Sequence, residues 1–177
     1  MAYPSGTSVA YSNNAVGRPV SAVDTTDGIT FASNAHYSPS GDLAFLQTGA
    51  GISSTYIYNN RLQPCRIYST ATSALSWNST PCTATPTPAS ILDFKYDFGP
   101  QGANNGNISA VTNNIDPTRS LLFSYDPLNR LLTAQTSSGS ATNAANCWAE
   151  TYSYDSWGNL YALDICPLAP RTGSYDV

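Results

Sequence analysis

A single histidine, His36, limits the nucleophilic chemistry open to this chain. A serine or cysteine hydrolase needs a nucleophile, an imidazole base and an orienting acid, often with the nucleophile on a Gly-x-Ser-x-Gly elbow, and the sequence contains no such elbow. His36 precedes Tyr37 at the place that Lys95, Ser124 and Ser153 hold before later tyrosines, so it reads as a strand residue beside a recurring ring. Three carboxylates, Asp97, Asp126 and Asp155, each follow a tyrosine and would line up in stacked segments, as the paired acids of a glycoside hydrolase must. The simpler reading is that each opens a turn, where an aspartate side chain accepts backbone N–H bonds. No catalytic residue is therefore assigned. The run "DTTDG" from Asp24 to Gly28 lacks the further carboxylates of a calcium loop, so neither metal nor cofactor is expected.

The four cysteines, Cys65, Cys82, Cys147 and Cys166, match neither a Cys-x-x-Cys redox motif nor a zinc ligand set. Two local disulfides, Cys65 with Cys82 and Cys147 with Cys166, close the shortest loops. The second pair follows from register if Asp155 to Gly158 is a four-residue turn. Tyr154 then faces Asn159, Trp148 faces Ile165 and Cys147 faces Cys166, with directly opposed Cα atoms about 4.5 to 5.5 Å apart, within disulfide reach. A three-residue loop over Ser156 to Gly158, with a bulge at the glycine, shifts the pairing by one residue. The alternative is a pair of free, buried cysteines.

Positioning such residues falls to β-structure. Charged residues make up 10% of the 177, well under the usual share of roughly a quarter, so Ser, Thr and Asn must supply the polar surface. With 12 Tyr, 12 Gly, 12 Pro and one Met, the profile is that of an extracellular β-protein. A net charge of −4 gives no phosphate-neutralising surface, and nucleic acid is not an expected partner. The N-terminal "MAYPSGTSVAYS" is no secretory signal, and no apolar run reaches the roughly 18 residues of a membrane helix, so no membrane insertion is expected.

Self-similarity organises the chain. Segments beginning at Tyr11, His36, Tyr56, Lys95, Phe123 and Tyr152 align on a turn whose glycine or asparagine falls at Gly17, Gly41, Asn60, Gly106, Asn129 and Gly158. Gly, and less readily Asn, occupies positive φ, so the punctuation has a physical cause. Asp155 is counted with these turn-forming residues as the opener of the last turn. One long step separates Asn60 from Gly106, and it holds a Ser/Thr/Pro-rich stretch over 69–90 that reads as a surface insertion stapled at its base by Cys65 and Cys82. Helical periodicity that outlasts the prolines and glycines is missing. The expected fold class is all-β: one domain over 1–177 of about six antiparallel β-hairpins.

"YDPLNRLLTA" from Tyr125 and "YDSWGNLYAL" from Tyr154 resemble the Tyr-Asp repeats of the RHS (rearrangement hot spot) family, in which Tyr-Asp, two or three variable residues, Gly-Arg or Gly-Asn, and Leu succeed one another. The earlier segments match loosely: Tyr37 is followed by Ser38, Tyr58 by Asn59, and Gly17-Arg18 by Pro19. The resemblance implies an open, curved, solenoid-like strip of hairpins in which each repeat packs on its neighbours. In long family members such strips form a hollow shell around a C-terminal toxin, and in teneurins a similar shell presents adhesion surfaces. Six turns are too few to close a shell, and the family's self-cleavage signature does not follow Asp116-Pro117 or Asp126-Pro127. The expectation is a wall segment without cargo.

Three functional readings follow. The first is a structural or adhesive module of a secreted or cell-surface protein, without enzymatic activity. The second is a polysaccharide surface built on a tyrosine ladder, Tyr37, Tyr58, Tyr96, Tyr125 and Tyr154, flanked by Asn and Asp. The ladder could equally be the core of the strip, and the two differ in whether one ring face stays wet. The third is self-association into a filament through strand edges left unpaired at either end. Asn78 and Asn107 are glycosylation acceptors if a eukaryotic secretory pathway makes the chain.

Overall fold

A computed structural model of the chain describes residues 1–71, 82, 90–99, 103–137 and 148–165. It is all-β, with twelve strands hydrogen-bonded in sequence order and every assigned neighbour antiparallel. The chain divides into two compact units, Met1–Asp93 and Phe94–Val177, at a point inside one strand.

The first unit contains β1 (Val9–Asn13), β2 (Pro19–Asp24), β3 (Thr30–Tyr37), β4 (Leu43–Thr48), β5 (Ser53–Tyr58), β6 (Pro64–Thr70) and the start of β7 (Ser90–Phe98). The second continues through the rest of β7, β8 (Ile108–Asn113), a 3-10 turn (Pro117–Arg119), β9 (Leu121–Tyr125), β10 (Leu131–Thr136), β11 (Ala149–Tyr154) and β12 (Leu160–Ile165). The 69–90 insertion is thus bounded by strand residues, since β6 runs to Thr70 and β7 starts at Ser90.

Alternation along the strands decides what is buried. In β9, Leu121, Phe123 and Tyr125 point to the covered side while Leu122 and Ser124 are exposed, the period of two that a pleated strand imposes. Among the described residues the buried set is small and unusually polar. Val9, Ala35, Phe45, Cys65, Tyr68 and Ala134 are its apolar members, against Asp24, Ser53, Thr55, Arg66, Asp93, Ser120 and Thr136. Hydroxyl pairs across strands use the Ser and Thr of the composition: Ser12 bonds Ser21, Ser54 meets Ser69 at 2.8 Å, and Ser124 meets Thr133 at 2.5 Å. All three are register partners within a hairpin, where side chains stand close enough to bond directly.

Register within each hairpin shifts beside the turn: at Ser12/Asn13, His36/Tyr37, Ile57/Tyr58, Asp97/Phe98, Leu131/Thr133 and Ser153/Tyr154. Each shift is a bulge that inserts a residue in one strand only. In the last hairpin it overturns the register expected from a four-residue turn. Tyr154 pairs with Leu160 and Glu150, not Trp148, pairs with Ile165. The opposition of Cys147 and Cys166 therefore does not follow from this register, and both residues lie outside the described ones. The other pair is bonded, Cys65 to Cys82, with Cα atoms 5.6 Å apart.

Candidate functional site

Local chemistry builds one turn many times over. In the segments 14–18, 38–42, 59–63, 126–130 and 155–159, the first N–H donates to the fifth carbonyl and the fourth N–H donates to the first carbonyl, at 2.8 to 3.1 Å. The first side chain completes the loop. Asp126 Oδ1 accepts from the backbone of Leu128 (2.8 Å) and Arg130 (2.9 Å), and Asp155 Oδ1 from Trp157 (2.9 Å) and Asn159 (2.8 Å). Asn14 and Asn59 do the same, and Ser38 donates this capping role to its hydroxyl, which accepts from Asp42 N–H at 3.1 Å.

The fourth position requires positive φ, and it is held by Gly17, Gly41, Asn129 and Gly158 at φ 81, 107, 62 and 89°. In the 59–63 turn that position belongs to Leu62 at φ 62°, not to Asn60, so the alignment on asparagine was displaced by two residues. Gly106, at φ 96°, sits in a longer connection between β7 and β8, where its N–H donates to Asn104 Oδ1. Sequence reading also missed two further copies of the turn, 3–7 and 48–52, with Gly6 and Gly51 in the fourth position. Neither carries the Tyr-Asp signature that guided the alignment.

The turn aspartates feel their loops. Burial pushes the Asp126 carboxyl up, but bonds from Arg130 and Leu128 and the Arg130 charge outweigh it and hold the group below its ordinary range. For Asp155 the side-chain bond from Asn159 leads, burial opposes, and backbone bonds add to it, with the same net direction. Acids so deeply engaged in backbone bonds are turn locks.

The tyrosine ladder has a definite use. Tyr37 Oη donates to the carbonyl of Pro19 (2.7 Å), Tyr58 to Leu43 (2.9 Å), Tyr125 to Ile108 (2.9 Å) and Tyr154 to Leu131 (2.9 Å). In each case the acceptor is the first residue of the previous hairpin's second strand. Backbone pairing between successive hairpins stops short of this end: β2 and β3 pair only at Ala22–Ala32 and Val23–Thr30, and β8 and β9 only at Ala110–Leu122 and Val111–Leu121. Neighbouring hairpins therefore part toward the turns, and the tyrosine hydroxyl spans the gap. The rings are half-buried, Tyr96 included, so they are neither a sealed core nor a free platform. Burial pushes the Tyr125 phenol up, and burial followed by the Asp42 and Tyr56 charges does so for Tyr58.

Arginines that close one turn lie over the tyrosine of the next. Arg18 sits 5.4 Å from the Tyr37 ring centroid and Arg130 4.7 Å from that of Tyr154. Arg130 also pairs with Asp126 at 2.6 Å. A third arginine, unsuspected from the sequence, is fully buried: Arg66 donates from Nε to Asp93 Oδ1 (2.9 Å) and from Nη2 to Oδ2 (2.6 Å), with its guanidinium 5.2 Å from the Tyr68 ring. No local pattern links residues 66 and 93.

His36 lies 6.1 Å from the Phe45 ring at a tilted angle, as a strand residue. Asp24 Oδ1 accepts from Thr26 N–H, so "DTTDG" forms the turn from β2 to β3. Among the described residues no three His, Cys, Asp or Glu side chains gather as a metal site, and no helix is long and apolar enough to cross a membrane.

Against known proteins, no family model and no curated protein matches the sequence. Among solved structures, the chain is similar to one in the crystal structure of TcdB2-TccC3-TEV, with TM-score 0.65 and 18% identity over 91% of this chain. It is likewise similar to one in the crystal structure of TcdB2-TccC3-Cdc42, with TM-score 0.67 and 18% identity over 96% of this chain. It spans 8% of the length of either. At that identity the likeness concerns the fold, and it supports an RHS-like arrangement of hairpins.

Proposed function

We propose that this chain is a structural segment of an RHS-type β-repeat protein acting outside the cell, without catalytic activity, and that it associates with further hairpins through its strand edges. The observation that carries the reading is the tyrosine bridge. A hydroxyl that reaches back to the preceding hairpin, as those of Tyr37, Tyr58, Tyr125 and Tyr154 do, makes each such unit depend on its neighbour, which is the logic of a wall built by repetition.

The edge of β1 supports the associative part. Val9 exchanges bonds with Met1, through its N–H to the Met1 carbonyl (2.8 Å) and its carbonyl from the Met1 amine (2.7 Å), so alternate residues of β1 aim their backbone outward. Tyr11 and Asn13 are the next such positions, and β1 has β2 as its only neighbouring strand among the described residues. Light scattering coupled to gel filtration over a wide dilution series tests this. The expected result is a mass that grows with concentration in the parent and falls back in Tyr11→Pro, which deletes an outward N–H without touching the pairing to β2. A monomer at all concentrations would overturn self-association.

A further inference from the structure

Arg18 and Arg130 occupy the same fifth position of the same turn, yet among the described residues only Arg130 has an acid. Arg130 meets Asp126, the first residue of its turn, at 2.6 Å. The first residue of the other turn is Asn14, whose Oδ1 is taken by the backbone N–H groups of Val16 (3.1 Å) and Arg18 (2.9 Å). Among the described residues no carboxylate or other hydrogen-bond acceptor reaches the Arg18 guanidinium.

That guanidinium is nonetheless held in place. It lies over Tyr37 at 5.4 Å and against the bare Cα of Gly41, where an added Cβ would stand 2.7 Å from Nη2. Tyr37 is itself tied to Pro19 through its hydroxyl. The nearby acid Asp42 is occupied elsewhere, accepting from Ser40 Oγ at 2.7 Å and acting on Tyr58.

The cation borders a cavity of about 430 Å³ whose walls include Asn14, Arg18, Val20, Asn34, His36 and Tyr37. That volume is in the range of small-ligand sites, about 300 to 1,000 Å³. Asn34 reaches the wall because β3 breaks its register there, with φ 54° at a non-glycine position. Its Nδ2 already donates to Gln47 at 2.9 Å, while Asn14 Nδ2 makes no bond among the described residues.

We infer that this cavity binds a sugar bearing a carboxylate, of the uronic acid class, with the carboxylate supplying to Arg18, from the cavity side, the negative charge that Asp126 supplies to Arg130. A planar guanidinium pairs with carboxylate through two parallel bonds, and Asn14 Nδ2 adds a neutral donor beside it. The remaining wall, with carboxamide, imidazole, phenol and the two small aliphatic groups of Val20 and Ala35, suits a ring that presents hydroxyls on its edge and C–H bonds on its face. The inference does not rest on the structural role proposed above.

The test is an NMR titration of labelled protein with trigalacturonate at constant ionic strength, beside a neutral galactose trisaccharide and N-acetylglycine. Trigalacturonate should shift the Asn14 side-chain and Arg18 Nε signals, with the neutral sugar and the acetylated amino acid at least tenfold weaker. Asn14→Asp should weaken trigalacturonate binding tenfold or more, because an internal carboxylate then occupies the arginine. Aspartate serves the same turn at 126–130, so this variant should keep its fold, which its melting curve checks. Arg18→Gln should abolish the shifts. Equal binding of the neutral sugar, equal or tighter binding of N-acetylglycine, an unaffected Asn14→Asp variant, or no binding by the parent would each overturn the assignment.

Discussion

Substituting Asp93→Asn should be among the most damaging single changes in the first unit. The side chains of Arg66 and Asp93 are 1% and 0% exposed, and they are joined by two bonds of 2.9 and 2.6 Å. Two charges removed from water lose several kcal/mol of hydration each, and their mutual attraction and hydrogen bonds only offset that loss. Neutralising one partner deletes the attraction but leaves the desolvated guanidinium, so the expected cost is about 3 to 5 kcal/mol. The Tyr68 ring, 5.2 Å from the guanidinium, remains and favours the lower end. Against a typical domain stability of about 5 to 15 kcal/mol, this is a large fraction. Urea unfolding followed by far-ultraviolet circular dichroism, with hydrogen exchange at β5 and β6 amides to localise the effect, measures it. The double variant Arg66→Met with Asp93→Leu removes both charges and should recover most of the loss. A cost below about 1 kcal/mol for Asp93→Asn, or a double variant less stable than the single, would show that the pair is not desolvated as the structure places it.

Four other outcomes follow from the geometry. Leu62, at φ 62° and 57% exposed, carries backbone strain with little packing in return, so Leu62→Gly should raise stability by about 0.5 to 1 kcal/mol in the same urea titration. Tyr154→Phe removes the hydroxyl that spans to Leu131 and keeps the ring, which should cost about 0.5 to 1.5 kcal/mol and speed amide exchange at the ends of β10 and β11 facing the turns. Acid should weaken the second unit through Asp126 and Asp155. Both folded carboxyls titrate below their unfolded value of about 3.9, so their contribution is complete above that pH and fades as pH falls through it toward the folded values. A melting temperature flat between pH 5 and 3, or an Asp126→Asn/Asp155→Asn variant with the same acid slope as the parent, would contradict this. At the alkaline end Tyr152, pushed up to about 12 by burial and by its bond to Glu150, stabilises the folded state below about pH 10, and that contribution is lost as pH rises further.

The order of hairpins was legible in the sequence because turns are local. Gly17, Gly41, Asn129 and Gly158 announce positive φ by their own conformational freedom, and Asp126 and Asp155 cap turns five residues long. The Cys65–Cys82 bond was legible for a similar reason, since the two cysteines, 17 residues apart, close a local loop at the base of the insertion. Leu62 was not, since its residue type argues against the conformation that the turn imposes on it. Register was not either: one bulge beside each turn changes every pairing that follows, and nothing in "YSYDSWGNL" states that Tyr154 will face Leu160. What the tyrosines do lay further out of reach. The recurrence of the rings is written in the sequence, but the acceptor of each hydroxyl is a backbone carbonyl 15 to 23 residues upstream, and a carbonyl carries no residue identity. The Arg66–Asp93 pair and Arg18, which meets no acid among the described residues, belong to the same class, since burial and partnering are properties of what surrounds a side chain. Sequence determined the conformations available within five residues, and tertiary structure decided which strands, and hence which side chains, were brought within bonding distance.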